Sequence, residues 1–123
     1  MAERSRTNPD RAVVTRRLGA RPRAMSADVH EDVIARVVDD AVALGSFVIL
    51  ESVVSTTRRA LSTDDADALL LRFAQSVSRY ARPPTSRFHV GAAARGTSGN
   101  VYLGVNVEIS AVPLNHSIHA EQF

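Results

Sequence analysis

Residues 88–108 read FHVGAAARGTSGNVYLGVNVE and decide the fold of this chain. Two largely apolar stretches, 88–94 and 101–108, flank the turn-rich insert Gly96-Thr97-Ser98-Gly99-Asn100. This pattern predicts a β-hairpin with a loop of about five residues. Alternation along the second stretch places Val101, Leu103, Val105 and Val107 on one face, and Tyr102, Gly104, Asn106 and Glu108 on the other. We expect the apolar face to pack on a helix.

Helical patterns precede the hairpin. A helix is predicted from Ser26 or Asp28 to about Gly45, because Asp28-x-x-Glu31 resembles a capping box before apolar residues at helical spacing. A shorter helix is plausible over Glu51–Ala60. Periodicity alone does not assign Phe47–Leu50 to strand or helix.

A further helix is predicted directly before the hairpin. Ser62-x-x-Asp65 supplies its cap, and apolar residues repeat at helical spacing from Ala66 to Val77. The sequence Arg82-Pro83-Pro84 must end this helix, because proline lacks the backbone N–H that a helix needs.

Composition limits the chain to one domain. It has 123 residues, of which 45% are hydrophobic, and it contains no cysteine. Disulfides and thiolate metal ligands are therefore excluded within this sequence. No apolar run approaches the ~18 residues of a membrane-spanning helix, so we expect a soluble protein with no membrane partner.

Charge is concentrated at the start of the chain. Residues 1–27 contain seven Arg against Glu3 and Asp10, a local balance of +5. An Arg-rich, acid-poor start occurs in organellar transit peptides and in nucleic-acid-binding arms. This segment has two serines and no aromatic residue, so we interpret it as a disordered leader and do not expect nucleic-acid binding. The expected location is cytoplasmic, with an organelle as the alternative if residues 1–24 are a transit peptide.

Three short blocks follow one another in the second half of the chain: Pro84–Ala92, Gly104–Glu108 and His116–Phe123. In this order and at these intervals they resemble the zinc-dependent cytidine deaminases, of the homodimeric, larger-subunit type known in plants and some bacteria. The tripeptide His119-Ala120-Glu121 matches the first half of the zinc-deaminase signature, H-x-E followed by P-C-x-x-C. The resemblance covers about residues 63–123, the N-terminal part of such a domain.

The resemblance implies a role for each matched residue. His119 would be the imidazole ligand of Zn²⁺, and Glu121 would be the catalytic proton shuttle. The nucleoside contacts would come from Phe88 against the pyrimidine, Asn106 and Glu108 at the ribose hydroxyls, and Ala120 near the base. The implied reaction is hydrolysis of cytidine or deoxycytidine to the uridine nucleoside and ammonia, as in pyrimidine salvage. A related aminopyrimidine nucleoside remains an alternative substrate.

The implied fold is an α/β/α sandwich, here cut after the first β-hairpin and the start of the zinc-site helix, for which Ser117 is a candidate cap. A single hairpin of the sheet is expected. Because the family takes two further zinc ligands from the P-C-x-x-C cysteines, we expect this chain to be an incomplete piece that neither holds Zn²⁺ nor catalyses the reaction alone.

These interpretations divide the chain into a disordered leader (1–27), a helical N-terminal region (28–61) and an incomplete catalytic domain (62–123). An alternative is a short, non-catalytic paralogue that serves as an interaction module on an intact subunit. A regulatory helical unit with a basic arm is a further alternative, which salt-sensitive nucleic-acid binding would reveal.

Overall fold

The computed structural model describes residues 26–123. Its helices and strands follow in the order α1 (Ala27–Ala43), β1 (Val48–Ile49), α2 (Glu51–Ala60), α3 (Ala66–Val77), β2 (Gly91–Arg95) and β3 (Val101–Val105). Short 3-10 helices lie at Ser78–Tyr80, Leu114–His116 and Ala120–Gln122. Within the described residues, none of the helices combines the length and apolar character needed to cross a membrane. The leader predicted for residues 1–27 lies outside the described residues, except for Ser26 and Ala27.

The hairpin is present as predicted. Strands β2 and β3 pair in antiparallel register from Gly91 opposite Val105 to Arg95 opposite Val101, and residues 96–100 form the connecting loop. Both strands are shorter than the sequence indicates: β2 begins three residues after Phe88, and β3 ends three residues before Glu108.

The expectation of a single hairpin is wrong, because the sheet has a third strand. Its order is β1-β3-β2, with Val48 opposite Tyr102 and Ile49 opposite Val101. The Phe47 carbonyl extends this pairing by accepting a hydrogen bond from the Leu103 N–H at 2.8 Å. A two-residue strand has no period to detect, which is why the sequence left this segment unassigned.

Helices α1 and α3 provide the apolar layer that covers the sheet. Helix α3 packs on β2 and β3, while α1 packs on α3 and β1. The largest fully buried side chains come from both helices and from β3: Ile34, Val38, Phe73, Val77 and Val101. Helices packed on a small antiparallel sheet are compatible with the predicted α/β class.

Helix α3 begins at a different cap from the one predicted. The Asp65 carboxylate accepts hydrogen bonds from the N–H groups of Asp67 (3.0 Å) and Ala68 (2.9 Å). Ser62 has φ +50°, whereas an N-cap residue takes an extended conformation. The helix also ends at Val77, before the prolines, and passes into the 3-10 turn Ser78–Tyr80.

Helix α1 has its N-cap at Ser26, one of the two predicted starting positions, but the predicted capping box at Asp28 is absent. It begins at Ala27, with Ser26 at the extended N-cap position, so Asp28 lies inside the first turn and does not cap it. Its C-terminal half is tied to the 3-10 turn that follows α3, because Asp39 accepts hydrogen bonds from Arg79 and from the Tyr80 hydroxyl. The Tyr80 hydroxyl, followed by Arg79, holds the pKa of Asp39 below its ordinary value.

Gly91 lets the backbone of α3 approach β2 closely. A Cβ at this position would lie 2.0 Å from the Ala74 carbonyl oxygen and 2.9 Å from the Ser78 nitrogen. Both atoms belong to the backbone, so they cannot move aside as a side chain can. The hairpin and α3 can therefore meet at this separation only with glycine at residue 91.

We predict that Gly91→Ala destabilises the fold by at least about 1–3 kcal/mol, the usual cost of overpacking. Gly96→Ala is the matched control, because its Cβ would meet only the movable ring of Tyr102 at less than 3 Å. We expect the control to stay within about 0.5 kcal/mol of the unsubstituted chain. Urea unfolding of both variants measures the difference. Equal urea midpoints for Gly91→Ala and Gly96→Ala would contradict this explanation of the packing.

Candidate functional site

Residues 82–90, the segment between α3 and β2, are joined to residues 106–108 by backbone hydrogen bonds. The Arg82 N–H donates to the Asn106 carbonyl at 3.0 Å, and the Glu108 N–H donates to the Arg82 carbonyl at 2.8 Å. The Asn106 N–H reaches the Val90 carbonyl at 3.3 Å. The first and second blocks of the predicted site therefore lie side by side.

The Asn106 side chain holds the backbone around Phe88. Its Nδ2 donates to the Phe88 carbonyl, and its Oδ1 accepts from the Val90 N–H, both at 2.9 Å. A carboxamide offers two donor hydrogens and two acceptor lone pairs. Asn106 therefore retains one donor and one acceptor for another group.

The Glu108 carboxylate is held by the loop that follows the prolines. Its Oε2 accepts from the N–H groups of Thr85 and Ser86, each at 2.9 Å, and its Oε1 accepts from the Ser86 hydroxyl. These donors, the Ser86 hydroxyl first, lower the pKa of Glu108 from its ordinary value. An ionised carboxylate has about four acceptor positions, so one remains, on Oε1.

Phe88 is fixed through its backbone while its ring stays in solvent. The Phe88 N–H donates to the Ser86 hydroxyl at 3.1 Å, and the Phe88 carbonyl accepts from Asn106. The residue is 71% exposed. A large apolar ring held at the surface can contact a flat ligand, whereas a core residue could not.

The third block approaches the same part of the sheet. Val107 and Ile118 exchange two backbone hydrogen bonds of 2.9 Å, and residues 119–122 start directly after this bridge. Ala120 is buried, and a Cβ on Gly104 would lie 1.9 Å from the Ala120 carbonyl oxygen. Residues 119–123 therefore lie against β3 on the face opposite α3.

His119 and Glu121 are both exposed in this segment. Ser117 was predicted to cap this turn, but it does not. The pairing of Val107 with Ile118 keeps residues 117–119 extended, and the 3-10 turn begins after His119. The His119 N–H donates to Gln122 Oε1 at 3.2 Å, and the His119 carbonyl accepts from the Gln122 N–H at 3.0 Å. These bonds leave the imidazole of His119 in solvent.

The residues present do not fit a zinc ion by themselves. Across residues 26–123, no group of three or more His, Asp or Glu side chains is arranged to hold a metal, and the sequence has no cysteine. His119 alone supplies one ligand, whereas catalytic zinc takes three protein ligands as a rule.

The sequence did not assign a role to Thr85 and Ser86, although both hold Glu108. A signal was available, because Ser and Thr hydroxyls in turns can bond the backbone two residues on, as Ser86 does with Phe88. The long-range bond to Glu108 had no such signal.

A cavity of about 90 Å³ lies elsewhere, between α2, α3 and the hairpin loop. Core residues such as Leu69 and Phe73 line it together with Arg58. The cavity wall contains none of the predicted site residues, so the candidate site is the surface around Phe88.

Comparison with known proteins identifies similar sequences. No protein-family model matches the chain. It is 47% identical to a cytidine deaminase of Shewanella pealeana over 64 residues, which is 52% of this chain and 22% of the relative. It is 45% identical to cytidine deaminase 1 of Arabidopsis thaliana over 80 residues, 63% of this chain and 26% of the relative. With cytidine deaminase 2 of the same plant it shares 63% identity over 43 residues, 35% of this chain and 13% of the relative.

These similarities confirm the predicted resemblance: part of this chain is cytidine deaminase-like, with bacterial and plant relatives. The matched segments span about a quarter or less of the relatives' length, at 22%, 26% and 13% in the three cases.

We predict that the contribution of Glu108 to stability depends on pH. Its folded-state pKa is lowered, so its hydrogen bonds stabilise the folded chain at neutral pH and are lost as the pH falls through that pKa. Urea unfolding measures the free energy of unfolding of the unsubstituted chain and of Glu108→Gln from pH 7 to pH 3. The difference between the two free energies should be largest at pH 7 and should shrink in acid. A difference that stays constant with pH would refute this account.

We predict that Gly104→Ala displaces residues 119–123 from the sheet and leaves the hairpin paired. The added Cβ would overlap the Ala120 carbonyl oxygen, and Phe123 would leave Phe47, whose ring centroid lies 4.7 Å away. Nuclear Overhauser effects between these two rings should disappear in the variant and persist in Gly96→Ala. Ring contacts retained in Gly104→Ala would count against the packing described.

Proposed function

We propose that this chain carries the nucleoside-recognition part of a cytidine deaminase-type site. The observation that carries the proposal is the hydrogen-bonded unit in which Asn106 and Glu108 hold the segment that presents the exposed ring of Phe88. These are the residues for which the resemblance implies nucleoside contacts. The similarity to cytidine deaminases supports the choice of ligand.

The remaining hydrogen-bond capacity suits a sugar hydroxyl. Asn106 retains one N–H donor and Glu108 retains one acceptor position, on Oε1. A hydroxyl can accept from the first and donate to the second. A phosphate could only accept, and the ionised Glu108 would repel it, so we propose a nucleoside as the ligand rather than a nucleotide.

The catalytic roles are proposed for the third block. Glu121 would be the acid–base group and His119 one metal ligand in an assembled site. Cytidine would be hydrolysed to uridine and ammonia, or deoxycytidine to deoxyuridine. Because the residues present do not fit zinc, we propose that the 123-residue chain is inactive on its own.

A second candidate function is that of an interaction module on an intact deaminase subunit. The observation in its favour is a set of exposed apolar side chains, three in the segment that joins the second and third blocks and one in the third block: Ile109, Val112, Leu114 and Ile118. Such a surface occurs where proteins meet, and in a homodimer it would be covered. Co-purification with a catalytic subunit, without effect on its zinc content, would distinguish this role.

We predict that joining this chain to the later part of the Arabidopsis thaliana relative, cytidine deaminase 1, yields a zinc-containing deaminase. The chain alone should contain no stoichiometric zinc and release no ammonia from cytidine. In the chimera, Glu121→Gln should lower kcat by about 10²–10⁴ while zinc remains, as expected when a positioned acid–base group is lost. His119→Ala should lose zinc.

His116→Ala is the matched control for the metal ligand, because His116 is another exposed histidine, three residues away. It should retain both zinc and activity. A folded chimera that holds zinc and acts on neither cytidine nor deoxycytidine would refute the proposed substrate. Ammonia release by the 123-residue chain alone would refute its inactivity.

A further inference from the structure

One hydroxyl group connects the Glu108 carboxylate with the backbone of Phe88, two residues that are proposed to touch the nucleoside. The Ser86 hydroxyl donates to Glu108 Oε1 and accepts from the Phe88 N–H at 3.1 Å. We propose that Ser86 is a positioning residue, which fixes the Glu108 carboxylate relative to the ring of Phe88. This inference rests on the proposed function, since it concerns the same nucleoside site.

The donors around Glu108 distinguish its two oxygens. Oε2 accepts two backbone N–H groups, from Thr85 and Ser86, which no side-chain substitution removes. Oε1 accepts from the Ser86 hydroxyl and keeps the free acceptor position. The hydroxyl of Ser86 is therefore the side-chain group that orients the oxygen available to a ligand.

The hydrogen bond between Ser86 and Phe88 also encloses a residue in an unfavourable backbone conformation. Arg87, between Ser86 and Phe88, has φ +60°, a left-handed value that costs a non-glycine residue of order 1 kcal/mol or more. Such a conformation persists only where neighbouring contacts impose it. The bond from the Phe88 N–H to the Ser86 hydroxyl closes this turn, and the Arg87 N–H adds a bond of 2.9 Å to the Pro83 carbonyl.

The other side of Phe88 is held independently. Asn106 binds the Phe88 carbonyl and the Val90 N–H, so it fixes the backbone just before β2. Neither of these two bonds involves Glu108. Loss of the Ser86 hydroxyl would leave that anchor in place. The expected defect is therefore local: Phe88 stays near the sheet, and its distance from the Glu108 carboxylate is no longer fixed.

The test uses three variants of the 123-residue chain, Ser86→Ala, Ser86→Thr and Ser98→Ala. Ser98 is a matched control, because its hydroxyl accepts from an N–H two residues on, that of Asn100, at 3.4 Å in the hairpin loop. NMR measures the pKa of Glu108 from its carboxyl carbon, and the hydrogen exchange of the Phe88 amide. Arg82, the charged residue lining the same surface depression as Glu108, is unchanged in every variant.

In Ser86→Ala we expect the pKa of Glu108 to rise towards its ordinary value and the Phe88 amide to exchange at least about tenfold faster, the size expected for a lost hydrogen bond. Ser86→Thr keeps the hydroxyl and should retain both values, and Ser98→Ala should change neither. Unchanged values in Ser86→Ala would overturn the proposal. If Ser86→Ala does not fold, a folded Ser86→Thr chain with a raised pKa and fast exchange would overturn it.

A cytidine titration of the same samples separates this inference from the proposed function. Cytidine should shift the Phe88 and Glu108 resonances of the unsubstituted chain, and Ser86→Ala should weaken binding about tenfold. No response of the unsubstituted chain, combined with the expected pKa and exchange changes, would contradict the proposed function and support the positioning role. Normal cytidine binding by Ser86→Ala would overturn the positioning role.

Discussion

The close approach of α3 to β2 at Gly91 is the constraint on which the described fold depends. A backbone carbonyl of the helix, that of Ala74, occupies the space where any other residue would place its Cβ. This contact sets the separation between the hairpin and α3. At that separation Phe73, Val77 and Val101 belong to one buried core cluster. On the opposite face of β3, Gly104 allows the same kind of approach by residues 119–123. The sheet is thus held between two backbone contacts, and the second of them positions the His119-Ala120-Glu121 tripeptide.

Sequence patterns predicted the parts of the fold whose determinants are local. The hairpin followed from alternation in residues 101–108 and from the glycines of its loop, and the α1 and α3 helices followed from their apolar spacing. Features set by tertiary contacts were missed or misplaced. Strand β1 exists because two residues pair with β3, and α3 is capped by Asp65, whereas Ser62 adopts a left-handed conformation. Neither condition is visible in a one-dimensional pattern.

The candidate site likewise has features that the sequence predicted and features that only the tertiary contacts reveal. Family blocks indicated Phe88, Asn106, Glu108, His119, Ala120 and Glu121, and the structure brings the first three into one hydrogen-bonded unit. The sequence could not predict that Asn106 would use half of its hydrogen-bonding capacity, and Glu108 most of its own, on the protein itself. It also gave no role to Ser86, because the bond to Glu108 crosses 22 residues.

The loop between α3 and β2 contributes both to the stability of the fold and to the order of the Glu108 carboxylate. The carboxylate is ordered by Thr85 and Ser86 during folding, before any ligand arrives, so binding would not have to supply that ordering entropy. Two neighbouring bonds, from the Phe88 N–H to the Ser86 hydroxyl and from the Arg87 N–H to the Pro83 carbonyl, hold the strained residue Arg87 in place. Substitutions in this loop would therefore change the stability of the fold and the proposed ligand recognition together, so that stronger binding would be limited by how much stability the protein can lose.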